Sequence, residues 1–193
     1  MSSNSSSGKS KTATGAVHVR FPPTVINVAL QPAAGAAAAA GLTAPNTANA
    51  LLLALDPGDT TGWAVFVGTQ CIQTGALRLD IAEMWFFLQK VKPNYVACEN
   101  FVLYAHKAQA QSWSPLNTIR LLGVIELYCI LHAVPYTLQL AAEAKGFIKD
   151  VARRATKHEE DAIRHGYYFL YKTHRLRAGE CVTQAKASIC PKS

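Results

Sequence analysis

Acidic side chains are missing from the start of this 193-residue chain: residues 1–49 hold Lys9, Lys11 and Arg20 but no Asp or Glu. The scarcity is local. Residues 50–170 carry 11 bases and 11 acids, and residues 171–193 carry five bases and one acid, so the formal charge of +7 resides wholly in the two ends. Basic ends around a neutral body suit a polyanionic partner, because each phosphate neutralised releases counterions. They also serve as plain solubilising tails. Cysteine is sparse and irregular. Cys71, Cys98, Cys129, Cys181 and Cys190 form an odd, widely spaced set without a C-x-x-C pair, which argues against a zinc site or a disulfide framework and for a reducing compartment. No uninterrupted apolar run reaches the roughly 18 residues of a membrane span. The nearest, "GAAAAAGLTA", is alanine-rich, flanked by proline and reads as a flexible linker. An intracellular, cytoplasmic protein without membrane contact is expected.

Residues 1–49, rich in Ser, Ala, Thr and Pro, have no periodic apolar face and are expected to be disordered. A basic, acid-free leader also resembles an organelle transit peptide, the lesser alternative. One folded domain is expected over 50–171, followed by a basic tail, 172–193.

Within that domain "LLLALD" reads as a buried strand, "WAVFVG" as a second and "QCIQTGALRL" as a third, with Gly68-Thr69 as a two-residue hairpin turn between the latter two. "DIAEMWFFLQKV" has a helical apolar stripe with Asp80 as N-cap. "YVACENF" is nearly continuous in apolar character, as a central parallel strand would be. "SPLNTIRLLGVIELYCILH" predicts a long helix capped by Ser114 with Pro115 in its first position. A fifth strand, "VPYTLQL", a shorter helix, "AAEAKGFIKDVA", and a last helix, "HEEDAIRHGYYFLYK", complete an α/β sheet layered by helices.

Two strands end on a carboxylate. Asp56 closes the first, just before Pro57-Gly58-Asp59, and Glu99 closes the fourth. The residues alternating with Glu99 on its own face, Tyr95, Ala97 and Phe101, include no base. A buried carboxylate needs a partner or a metal, or else it takes up a proton. His158 and Asp161, three apart at the start of the last helix, share a face. Separately these residues also read as a turn former, a strand-end residue and an acidic first helical turn.

Together, "DPGDTTGWA" at 56–64, "ACENF" at 97–101 and "HEEDAIRH" at 158–165 resemble the RuvC-like branch of the RNase H-like nucleases, especially phage-encoded Holliday junction resolvase-like proteins. The resemblance covers roughly residues 50–171. It implies an RNase H-like fold: a mixed five-stranded sheet of order 3-2-1-4-5, flanked by helices, whose adjacent first and fourth strands lie about 4.8 Å apart. It also implies that Asp56, Glu99, His158 and Asp161 hold two Mg2+ or Mn2+ ions, and hard oxygen donors with one imidazole suit both metals. In such a site one ion activates a water and the other stabilises the leaving oxygen, the pair lying about 3.5–4 Å apart. The implied product is a DNA nick with a 5′-phosphate. Glu160 stands as an alternative to His158. DNA contacts are carried over to Lys145, after the fifth strand, and to Arg153, Arg154 and Lys157 on the approach to the metals. Phe101 and Tyr104 are candidates for stacking on an unpaired base, or for the core. His165, one turn beyond Asp161, reads as a supporting partner of the site or as core packing.

Branched DNA is thus the expected partner, with no small-molecule cofactor. An RNA-processing relative and a non-catalytic nucleic-acid-binding module remain alternatives. An actin-like ATPase or sugar kinase needs two such domains, which about 140 folded residues cannot supply. The helix from Pro115 carries more apolar residues than the stripe of about 100° that one sheet buries. A homodimer would cover the surplus, as would the polar segment before the helix or the C-terminal tail.

Overall fold

Alternation along the first strand decides how the layers form. In a computed structural model that describes residues 49–102 and 117–187, β1 (Leu51–Asp56) sends Leu51, Leu53 and Leu55 to one face and Leu52, Ala54 and Asp56 to the other. β2 (Thr61–Val67) and β3 (Gln70–Leu77) follow antiparallel, joined at Gly68, whose φ of 58° is the left-handed conformation that such a turn requires. β4 (Tyr95–Glu99) lies parallel to β1, and β5 (Tyr136–Gln139) parallel to β4. The sheet is mixed and five-stranded, of order β3-β2-β1-β4-β5, as expected of an RNase H-like fold.

One face is covered by α1 (Ile81–Val91) and α2 (Asn117–Leu131). Asp80 caps α1 as expected: its side chain accepts from Glu83 N, and Glu83 accepts from Asp80 N, a full capping box. This layer buries large side chains, among them Trp63, Met84, Phe87, Leu88, Ile125 and Tyr128. The opposite face is covered by α4 (Lys157–Lys172), capped by Thr156, and by α5 (Ala178–Ala187). There the sheet presents Ala54, Ala64 and Ala97, beside Leu52 and Phe66, against Ala162, Ile163 and Tyr167.

Three expectations change. α3 (Ala141–Phe147) stops before the expected Ala152, because Arg164 takes the carbonyls of Ile148 and Lys149 with its Nε and Nη2 and holds the chain extended there. α4 is not the last helix. The segment expected as a tail from residue 172 folds into α5, where Cys181 and Ala185, one turn apart, are buried against α4. Its high basic content had hidden that short apolar face. The leader expected to be disordered, with Ser114, Pro115, Tyr104 and Cys190, lies outside the described residues. No described helix is long and apolar enough to cross a membrane, and no disulfide joins the described cysteines.

Candidate metal centre

The strands β1, β4 and β5 run parallel and end side by side. Asp56 follows Leu55, which pairs with Cys98, and Glu99 pairs with Gln139. By alternation Asp56, Glu99 and Gln139 all face the α4 side. α4 reaches them because Gly62 lies under its first turn: a Cβ built there would stand 2.0 Å from the carbonyl oxygen of His158. Gly62 is the register partner of Asp56, so the same closeness sets how near α4 comes to the first carboxylate.

The result is a cluster. Asp56, Glu99 and Asp161 each offer a carboxylate oxygen, and these lie within 4.8 Å of one another. Asp56 is buried, and its carboxyl is pushed up to about 6, by burial first and then by the charge of Glu99, with His158 pulling the other way. His158 Nδ1 lies 2.7 Å from Asp56 Oδ2. Asp161 is met by Lys145 Nζ at 2.9 Å and by Arg164 Nη1 at 2.7 Å. Burial works against the charge of Lys145, yet the hydrogen bond and charge of Asp161, with Glu99 and Asp56 beyond, hold its pKa above the ordinary value. Glu99 Oε2 lies 3.0 Å from Nε2 of the fully buried His165, whose Nδ1 is 2.8 Å from Gln139 Oε1.

The other acids of α4 point elsewhere. Glu160 accepts from Arg154 N and lies 3.9 Å from Arg164, while Glu159 is buried against Thr74 and Thr156. A cavity of about 300 Å³ opens onto Asp56, Glu99 and His158, with Phe101 and Leu140 among its walls. Phe101 also packs on the core of the α1–α2 layer, the alternative to a stacking role. Arg153 and Lys157 are exposed beside the first turn of α4, and Arg154 is half-buried. A larger cavity of about 440 Å³, at the far end of α4, is lined by His174, Arg175 and Arg177. Among the described residues, the carboxylate trio is the one group of metal-ligating side chains so gathered.

Three crowded carboxylates suit a hard divalent cation. All the donors are oxygens, and burial, with the charge of Glu99, raises the Asp56 carboxyl in a way that a nearby cation would oppose. The structure thus brings together Asp56, Glu99 and Asp161, with His158 and Lys145 each bound to one of them. Glu160 is directed away from the cluster. Sequence reasoning missed Gly62, Gln139 and Arg164. Gly62 had a signal, as a glycine inside a β-prone run that marks a close backbone approach. Gln139 had none.

No protein-family model and no curated protein matches the chain. Among solved structures it is similar to Thermus thermophilus RuvC in complex with a Holliday junction substrate, at 14% identity over 65% of this chain and 97% of that one, with a TM-score of 0.48. A second T. thermophilus RuvC structure matches at 14% identity with the same coverage and a TM-score of 0.45. The yeast mitochondrial Holliday junction resolvase Ydc2 matches at 12% identity over 68% of this chain and 65% of that one, with a TM-score of 0.36. At such identities a likeness concerns the course of the backbone alone, and the fold assignment rests on the strand order and register found here.

Proposed function

We propose that this chain is a metal-dependent endonuclease that cleaves branched DNA, of the RuvC-like kind its three motifs resemble. The observation that carries this reading is the trio Asp56, Glu99 and Asp161, gathered at the carboxyl ends of parallel strands beside an open cavity. The phage-encoded branch of the resemblance rests on the motifs alone. Bound to the trio, Mg2+ or Mn2+ supplies Lewis acidity and an activated water for phosphodiester hydrolysis, in the two-ion manner of such sites. Asp56, Glu99 and Asp161 hold the cations through their oxygens. His158 orients Asp56 or joins the ligands. Lys145 offsets the charge of Asp161 and would meet a DNA phosphate, with Arg153, Arg154 and Lys157 adding positive charge around the start of α4. Residues 1–49 contribute further bases for the phosphate backbone. Described cysteines without a disulfide suit a reducing compartment such as the cytoplasm.

Labelled four-way, flap and linear DNA, incubated with the full chain in Mg2+, Mn2+ or EDTA, tests the reading. Cleavage of branched DNA that EDTA abolishes is expected. Asp56→Asn should lower the rate by more than about a hundredfold, beyond the usual effect of losing a group that merely supports a ligand, while leaving DNA binding in place. Cutting in EDTA, undiminished cutting by the variant, or a preference for structured RNA would overturn it.

Resolving a four-way junction needs two matched nicks, and α2 carries a surface suited to pairing two sites. Ile119, Leu127, Ile130 and Leu131 are 45% to 66% exposed along the helix, and a Cβ added at Gly123 between them would meet open space. α5 packs on the opposite face of the sheet, so the described part of the C-terminal segment does not cover this stripe. The function proposed here includes a two-fold dimer through α2. Light scattering across a concentration series should report twice the chain mass. A monomer at micromolar concentration with junction DNA present would shift the reading to single-nick flap cleavage.

A further inference from the structure

Glu99 faces a difficulty that its own strand cannot solve. Its carboxylate stands among two others, it is 22% exposed toward the cavity, and its same-face strand neighbours Tyr95 and Ala97 offer no hydrogen-bond donor toward it. Repulsion from Asp56 and Asp161 favours rotamers that swing a glutamate side chain out toward water. The hydrogen bond from His165 opposes that swing. We propose that Gln139 and His165 form a buried positioning pair that holds Glu99 in ligating orientation; this rests on reading the carboxylate trio as a metal centre.

Three observations converge on the pair. Gln139 is 3% exposed and is the register partner of Glu99 on the neighbouring parallel strand, so both side chains leave the sheet on the same side. His165 is fully buried one helical turn beyond Asp161, and thus on the same face of α4. The imidazole bridges the two strand residues, Nδ1 to Gln139 and Nε2 to Glu99. One arrangement of hydrogens lets the ring donate to Glu99 and still be matched at Gln139. A half-turn of the carboxamide presents its NH2 to the ring, so that Nδ1 accepts and Nε2–H donates to the carboxylate. Gln139 thereby settles the ring, and the ring fixes Oε2 of Glu99. The other oxygen is left for a cation, with no partner among the described residues. Because Asp161 and His165 ride on one helix, the pair also ties the placement of Asp161 to that of Glu99.

Mn2+ affinity of the full-length chain, measured by electron paramagnetic resonance of the free ion, tests the pair without relying on catalysis. His165→Leu and Gln139→Met should each weaken binding by about 10–100-fold, the usual effect of losing a group that supports a ligand. His165→Gln should recover most of the affinity, because its amide nitrogen reaches the position of Nε2 and donates to Glu99. Cleavage should shift to higher Mn2+ in the same order and recover at saturation, which a role in stability alone would not produce. Should His165→Leu fail to fold by circular dichroism, Gln139→Met and His165→Gln carry the test. Wild type that binds Mn2+ while Gln139→Met binds it equally well overturns the pair and leaves the metal reading standing. Wild type that takes up no Mn2+ overturns the metal reading and the pair with it.

Discussion

Leu51, Leu53 and Leu55 look one way from β1 while Leu52, Ala54 and Asp56 look the other, and the two sides are filled on different terms. On the α1–α2 side the strands give large apolar groups, and the helices answer with Met84, Phe87, Leu88 and Ile125. Shape and volume decide that layer. On the α4 side the strands give alanines beside Leu52 and Phe66, and the helix comes down until its backbone touches Gly62. That closeness lets short polar side chains from helix and strands meet directly: Asp161 joins Asp56 and Glu99, and His165 reaches both Glu99 and Gln139. The contrast shows one strand serving two layers through alternate residues, with Asp56 ending the second set in the carboxylate trio.

Gly62 is where that contrast is most open to attack. Gly62→Ala must displace the first turn of α4, since the obstructing atoms are the backbone carbonyl of His158 and the nitrogen of Glu159, not a side chain that can rotate away. The loss of stability should exceed the about 1–3 kcal/mol of ordinary overpacking, and Mn2+ affinity should fall with it. Gly146→Ala in α3, where a new Cβ meets nothing within 4 Å, serves as the control and should gain up to about 1 kcal/mol. Chemical denaturation and Mn2+ titration of both variants check this. Equal behaviour would mean that α4 can ride higher without harm.

The other layer should respond in stability alone. Leu53→Ala empties a fully buried site against the α1–α2 helices and should cost about 2–5 kcal/mol. The variant that remains folded should bind Mn2+ as wild type does. A loss of affinity comparable to that of Gly62→Ala would show that the two layers are not separable.

A dependence on pH in EDTA should be the most modest of these responses. Burial, then the charges of Glu99 and Asp161, raise the Asp56 carboxyl from 3.8 to about 6 in the folded chain. The folded state therefore binds more protons than the unfolded one between those values, and stability falls as pH rises through that window. Asp56→Asn lacks this titration. Thermal melts should show wild type gaining on Asp56→Asn as pH drops from 7 to 5, and the gain should vanish when Mn2+ is present. A difference flat with pH would mean that Asp56 is less enclosed than its surroundings indicate.

Much of the centre is legible in the chain's local order. Asp56 and Glu99 end apolar runs, the family resemblance implies that their strands are parallel neighbours, and the spacing of His158 and Asp161 puts both on one side of a helix. The capping box of α1 and the turn at Gly68 are equally local. What escapes are relations between segments far apart in the chain. Helical spacing favours His158 and leaves Glu160 as the alternative, and the roll of α4 turns Glu160 toward Arg154 and Arg164 and His158 toward Asp56. The end of α3 depends on Arg164, which lies 16 residues beyond Ile148.

Strand alternation and helical spacing are properties of adjacent residues, so the sequence was enough to say which acids end strands and which helix carries the complementary set. Which donors those acids meet was settled only by packing in three dimensions. Glu99 finds Gln139 through the register of two strands separated by a helix, and His165 through the depth to which Gly62 lets α4 descend. Register and depth are set by the packing of whole layers, and no single stretch of the chain carries that information.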